Sequence, residues 1–192
     1  MRYYSSNGDK GMTSFGRSRI LSKADISIEF VGNLDKAQAA LGFAAAEAAK
    51  HPVTHEINEC LVWMQRALFQ AGVTIMDAYD TKSRAAWSWE AQLHEVERFC
   101  ELFAPKEPLK AFVLPGGSEL AARIELARVA IRELERSYCH LIDTSAGVAF
   151  AGIETDELAS MDALPFFNRL SSLAFVLARR SNELLEVSER NL

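Results

Sequence analysis

Residues 117–142 read GSELAARIELARVAIRELERSYCHLI. Within them Leu120, Ile124, Ala127, Ile131, Leu134, Tyr138 and Leu141 recur at alternating steps of four and three. A helix turns once in about 3.6 residues, so this spacing lays one apolar stripe along a single face. Pro115-Gly116-Gly117 breaks the chain just before the stripe, and Ser118 is placed to cap the helix. A heptad-like stripe of this length is what a bundle buries between antiparallel neighbours.

Two further segments carry the same signature. Between Val53 and Met76 the set is Ile57, Leu61, Met64, Leu68, Ala71 and Ile75. Between Leu164 and Glu186 it is Phe167, Leu170, Ala174, Leu177, Ser181 and Leu184. An alanine-rich segment from about Ile26 to Ala49 predicts another helix. A shorter one, from about Arg84 to Phe103, carries Trp87, Leu93, Val96 and Phe99. His51-Pro52 ends the first helix, and Pro105 and Pro108 end the third. No Val/Ile/Thr-rich alternating segment of strand length stands out. The expectation is an all-α, five-helix bundle over residues 25–192, with a loose N-terminal arm over 1–24, in one domain overall.

Composition narrows the function. The chain has 192 residues, 49% of them hydrophobic, which is ample for a core. Its net charge of -5 argues against nucleic-acid binding. There is no apolar run of roughly 18 residues, so no membrane span is expected. Cys60, Cys100 and Cys139 are too scattered for a disulfide framework and read as reduced thiols of a cytoplasmic protein. His51, His55, His94 and His140 form no Glu-x-x-His pattern, so no di-iron centre is expected. The G-x-x-x-x-G-K-[ST] phosphate loop and the G-x-S-x-G elbow are both absent.

Charge is unevenly spread. The arm carries Arg2, Lys10, Arg17, Arg19 and Lys23 against Asp9 alone, a balance of +4, which leaves -9 on the other 168 residues. Gly8, Gly11 and Gly16 let that backbone turn sharply and approach a ligand. Cations on a glycine-rich backbone suit a polyphosphate, although a solvated tail has the same composition. On the 117–142 helix, Glu125, Arg128, Arg132 and Glu135 share a face, with Arg136 beside them. Such a face is either a solvated row of ion pairs or a pair of guanidiniums spaced to grip phosphates.

The order of motifs along the chain resembles the ATP:cob(I)alamin adenosyltransferase family. Tyr4-Ser5-Ser6-Asn7-Gly8-Asp9-Lys10-Gly11-Met12-Thr13 is similar to that family's T-x-T-G-D-x-G-x-T arm, and Lys23 follows at the family's spacing. Gly32-Asn33-Leu34-Asp35 is similar to G-T-x-D, and Phe112-Val113-Leu114-Pro115-Gly116-Gly117 to F-x-L-P-G-G. Ala127-Arg128, Arg132 and Glu135-Arg136 fit A-R-x-x-x-R-x-x-E-R. Phe167-Asn168-Arg169-Leu170-Ser171 and Phe175-Val176-Leu177-Ala178-Arg179 resemble L-N-R-L-S and F-V-L-A-R.

The resemblance implies a homotrimer of five-helix bundles that moves the 5′-deoxyadenosyl group of ATP to Co(I) of cobalamin and releases triphosphate. It implies that Ser5, Asn7, Gly8, Asp9, Gly11, Thr13 and Lys23 bind ATP together with Mg2+. Arg128 would hold ATP and the developing charge, and Arg132 would pair with Asp35 of a neighbouring subunit. Glu135 and Asn168 would orient the nucleotide, and Phe112 would wall the corrinoid site and displace the lower axial ligand. A cob(II)alamin reductase and an adenosylcobalamin-dependent enzyme would be its partners.

Five departures accompany the match. Ser5 and Asn7 replace threonines, Met12 loses a hydroxyl, Lys36 reverses a charge beside Asp35, and Ser172 replaces an aspartate. The connection from Cys139 to Leu164, which includes a 143–163 insertion, is also longer than the family's usual one. These departures leave a second expectation, a weakened paralogue that carries or senses a corrinoid or nucleotide without turnover.

Overall fold

Asp25 starts the first helix by accepting the Ser27 amide on Oδ1 at 2.8 Å. In the computed structural model, which describes residues 3–15, 19–78, 87–109, 111–145 and 163–192, α1 then runs Ile26–Ala48. Thr54 Oγ1 lies 2.7 Å from Ala48 O and 3.0 Å from His51 O, so its buried hydroxyl satisfies a carbonyl left open at the helix end. Pro52–Thr54 forms one 3-10 turn and leads into α2, His55–Ala78. α3 spans Trp89–Leu102, and Ser88 Oγ caps it by accepting from the Ala91 amide at 3.2 Å. α4 spans Glu119–Ser145 and α5 spans Ala163–Leu184. Ser118 caps α4 as expected, accepting from the Ala121 amide at 3.1 Å.

The three stripes form the core. Ile57, Leu61, Met64, Leu68, Ala71 and Ile75 are all buried on α2. So is the whole set from Leu120 to Leu141 on α4, and so are Phe167, Leu170, Ala174, Leu177 and Ser181 on α5. α1 packs against α2 and α4, while α5 packs against α4 and α3. Phe30 of α1, Tyr138 of α4 and Phe167 of α5 meet at the centre, with Phe30–Tyr138 and Tyr138–Phe167 ring centroids both 5.6 Å apart. A Cβ on Gly72 would lie 2.2 Å from Leu34 Cδ2, so glycine there permits the close approach of α1 and α2.

The arm departs from the expectation of a loose, strandless segment. β1, Met12–Phe15, and β2, Arg19–Ser22, pair antiparallel, with Met12 opposite Ser22 and Phe15 opposite Arg19. Phe15 is 4% exposed and belongs to the core cluster, so it anchors the hairpin to the bundle. The α3 segment also begins later than expected, at Trp89. Of the 143–163 stretch, residues 146–162 lie outside the described residues.

α5 ends in a Schellman motif. The Val187 amide bonds to Asn182 O at 2.8 Å and the Glu186 amide to Glu183 O at 3.2 Å. Glu186 takes the left-handed conformation, φ 56°, at the position where glycine is usual. The turn sends residues 187–192 back toward the stretch ahead of α4.

Candidate active site

The arm folds on its glycines. The Asp9 amide bonds to Ser6 O at 3.1 Å and the Gly11 amide to Gly8 O at 3.2 Å. Gly11 sits at φ 75° and its carbonyl receives the Lys23 amide at 2.8 Å. This brings the Lys23 ammonium onto Gly8: a Cβ there would stand 2.9 Å from Nζ. Ser5, Asn7, Asp9 and Gly11 are exposed, while Gly8 and Thr13 are half-buried, Thr13 facing Leu21 across the hairpin. The structure thus gathers Gly8, Gly11 and Lys23 into one cationic turn with open backbone around it.

α4 presents the second group. Glu125 is 8% exposed and accepts from Arg128 Nε on Oε2 at 2.6 Å. With Nε occupied, the two outer guanidinium nitrogens of Arg128 remain available as a fork. Asn168 of α5 donates from Nδ2 to Glu135 Oε1 at 3.2 Å and accepts on Oδ1 from Arg169 Nη1 at 2.9 Å. Arg169 Nε in turn lies 3.5 Å from Glu97 Oε1 of α3. One polar chain therefore joins three helices and fixes which way the Asn168 amide faces. Ser171 and Ser172 both donate their hydroxyls to Asn168 O, at 2.9 and 3.3 Å, so the Ser172 departure falls beside this residue.

Asp35 and Arg132 are exposed, and neither makes an ion pair with any described residue. Lys36 does: it pairs with Glu133 and ties α1 to α4. That pair holds Glu133 below the usual carboxylate range, chiefly through the hydrogen bond from Lys36. Among the described residues no hydrogen bond or ion pair joins the arm to Arg128, Arg132, Glu135 or Asn168.

The third element is Phe112, which is 80% exposed. Val113 bridges antiparallel to Asn191, the Leu114 amide bonds to Arg190 O at 2.8 Å, and the Leu192 amide bonds to Phe112 O at 3.0 Å. Phe112, Leu114 and Leu192 thus expose apolar side chains along this pairing, a surface that suits an apolar ligand face. Gly116 and Gly117, at φ 127° and 100°, turn the chain into α4. Asn182 locks that turn by donating to Gly116 O at 2.9 Å and accepting from the Ser118 amide at 2.8 Å. The sequence reading missed Asn182 and Glu125's burial; only the strained Pro-Gly-Gly turn hinted that a polar partner was needed.

Burial pushes the Cys60 thiol far above its ordinary value, Cys100 up to about 11, and Cys139 up as well. The tryptophans pack: Trp63 lies 5.0 Å from Phe99, and Trp87 meets Trp89 and Phe166 edge-on.

The family model described as cobalamin adenosyltransferase matches residues 3–181. A corrinoid adenosyltransferase of Mycobacterium tuberculosis strain H37Rv is 32% identical over 184 residues, which cover 94% of this chain and 89% of that protein. One from Bacillus subtilis is 28% identical over 183 residues, covering 95% and 87%. Among solved structures, a variant PduO-type ATP:corrinoid adenosyltransferase from Lactobacillus reuteri, complexed with cobalamin and ATP, superposes with a TM-score of 0.82. It is 26% identical, and the match covers 100% of this chain and 99% of that one.

Proposed function

The chain belongs to the cobalamin adenosyltransferase family, and from that premise we propose how its residues carry out the transfer. It is a corrinoid adenosyltransferase: the 5′-deoxyadenosyl group of ATP passes to Co(I) of cobalamin, and triphosphate leaves. A cobalt–carbon bond forms at C5′ with the metal's electron pair. The C5′–oxygen bond breaks, and its pair departs on the triphosphate. Co(I) is already a strong nucleophile, so the protein needs no base. Its tasks are to align the two centres and to stabilise charge on the leaving group.

The observation that carries this reading is the Glu125–Arg128 pair. A buried carboxylate holds the guanidinium by Nε alone, which leaves a preorganised fork for phosphate oxygens. Residues 1–24 act as the ATP-binding arm of a helical body over 25–192. Gly8, Gly11 and Lys23 wrap the triphosphate, with Ser5, Asn7, Asp9 and Thr13 supplying further polar contacts. Glu135 and Asn168 orient the nucleotide through their mutual hydrogen bond.

Among the described residues Asp35 and Arg132 each lack an ion partner, which supports a pair formed between subunits of a homotrimer. In such an assembly the arm of one subunit and the α4 fork of the next share one nucleotide. Phe112 stands as an apolar wall under the corrinoid and offers no lower ligand, which makes Co(II) easier to reduce. Among the described residues no three His, Cys, Asp or Glu side chains gather. Magnesium would share the charge of the triphosphate, and Asp9, the arm's one carboxylate, would help to hold it there.

No described helix is long and apolar enough to cross a membrane, in keeping with a cytoplasmic enzyme. It would work beside a cob(II)alamin reductase and an adenosylcobalamin-dependent enzyme. The carrier or sensor reading drew on Lys36 and Met12; the Lys36–Glu133 pair gives that cation a structural place, and Met12 pairs with Ser22 in the hairpin. Reduced cobalamin mixed with ATP and Mg2+ tests the reading. It predicts the spectrum of an organocobalt product with triphosphate released; free phosphate, or binding with no new spectrum, would refute it.

A further inference from the structure

Phe112 is 80% exposed, so the course of its backbone largely sets where the ring stands. That backbone is paired with residues 190–192 by two hydrogen bonds and one bridge. A short two-stranded pairing is marginal in water without further support. The support here is an ion pair. Arg179 Nε lies 3.0 and 3.2 Å from the two carboxylate oxygens of Glu189, and Nη2 lies 3.0 Å from Oε2. Both side chains are largely shielded, at 12% and 21% exposure.

Glu189 precedes Arg190, whose carbonyl receives the Leu114 amide, so the clamp falls one residue from the pairing. Arg179 also reaches Glu107 O at 3.4 Å, on the stretch leading to Phe112. Three residues along the same face of α5, Asn182 holds the Gly116–Gly117 turn by its side chain and the start of the 187–192 segment by its carbonyl. Both ends of the Phe112 loop and the segment beside it are thus tied to one helix.

We propose that Arg179 and Glu189 are positioning residues that strap residues 187–192 against 112–114 and thereby hold Phe112 in place under the corrinoid. This rests on the role of Phe112 given above. The strap acts on the corrinoid side only, since the nucleotide groups sit on the arm, α4 and Asn168.

The test uses the full chain with Glu189→Gln, which keeps the side chain's shape. Its KM for cobalamin should rise about tenfold, while its KM for ATP stays within about twofold. The visible and paramagnetic spectra of bound cob(II)alamin should show a smaller fraction lacking the lower ligand. The swap Arg179→Glu with Glu189→Arg should restore part of both. In a Phe112→Ala background, Glu189→Gln should add nothing, because the ring it positions is gone. Equal changes in both KM values, or none, would overturn the strap. If Phe112→Ala itself leaves the cobalamin KM and spectrum unchanged, the Phe112 reading fails and the strap with it. If Phe112→Ala moves them and Glu189→Gln does not, the strap alone fails.

Discussion

Glu125 and Arg128 stand one turn apart on α4, joined by a 2.6 Å hydrogen bond from Nε to a carboxylate that is almost wholly buried. The bond fixes the plane of the guanidinium before any ligand arrives, so little ordering is left for the reaction itself. Arg128→Ala is expected to lower kcat by about a hundredfold or more, comparable to the loss of a preorganised donor to a developing negative charge. Arg128→Lys should recover little, because an ammonium cannot present the fork. Glu125→Gln should give an intermediate loss of about tenfold, since the orientation weakens while the cation stays. Steady-state kinetics on the three variants check the order.

Gly117 is expected to be intolerant of a side chain. It combines φ 100° with a Cβ position 2.6 Å from the Asn182 amide atoms. Gly117→Ala therefore strains the backbone and displaces the residue that satisfies Gly116 and Ser118. A loss of about 1–3 kcal/mol is expected, read as a lower urea midpoint with an unchanged slope.

Glu47 gives the fold a pH dependence. It is buried on α1, with the Lys50 ammonium 2.7 Å and Arg123 Nη2 3.1 Å from Oε2. The hydrogen bond from Lys50, helped by the charge of Arg123, holds its carboxyl below the usual carboxylate range. A depressed carboxylate adds stability above its unfolded pKa, and that stability is lost as pH falls through the folded value. Glu47→Gln should thus melt lower than the parent at pH 7. The difference should shrink as the pH is taken below the ordinary carboxylate range. Thermal unfolding followed across pH 7 to pH 3 by circular dichroism measures it.

The helical part of the fold was legible because a buried helix face repeats every 3.6 residues, and α2, α4 and α5 each repeat it over several turns. The Ser118 cap was legible from its place after two glycines. The arm's hairpin was not: each strand has four residues, and Phe15 is the one fully buried side chain between them. Alternation needs more positions than that to show. Within the site, Glu125–Arg128 is a local i,i+3 spacing and could be read. Asn182 lies 64 residues from the Ser118 amide it accepts from, in a run of polar residues that looks solvated. Lys36–Glu133 spans 97 residues and depends on how α1 and α4 pack. The proposed pair between Asp35 and Arg132 of another copy would have its geometry in the assembly and not in any one chain.

The central claim is that the arm of one subunit and the α4 fork of the next build one nucleotide site. Mixing two inactive chains measures it directly. The Lys23→Ala and Arg128→Ala proteins should each be nearly inactive. Unfolded together in equal amounts and reassembled, they should regain activity, because about a quarter of the interfaces then join an intact arm to an intact fork. Formation of the organocobalt product by the mixture, at up to that share of the parent rate, is the predicted result. A mixture no more active than its two components would contradict the shared site.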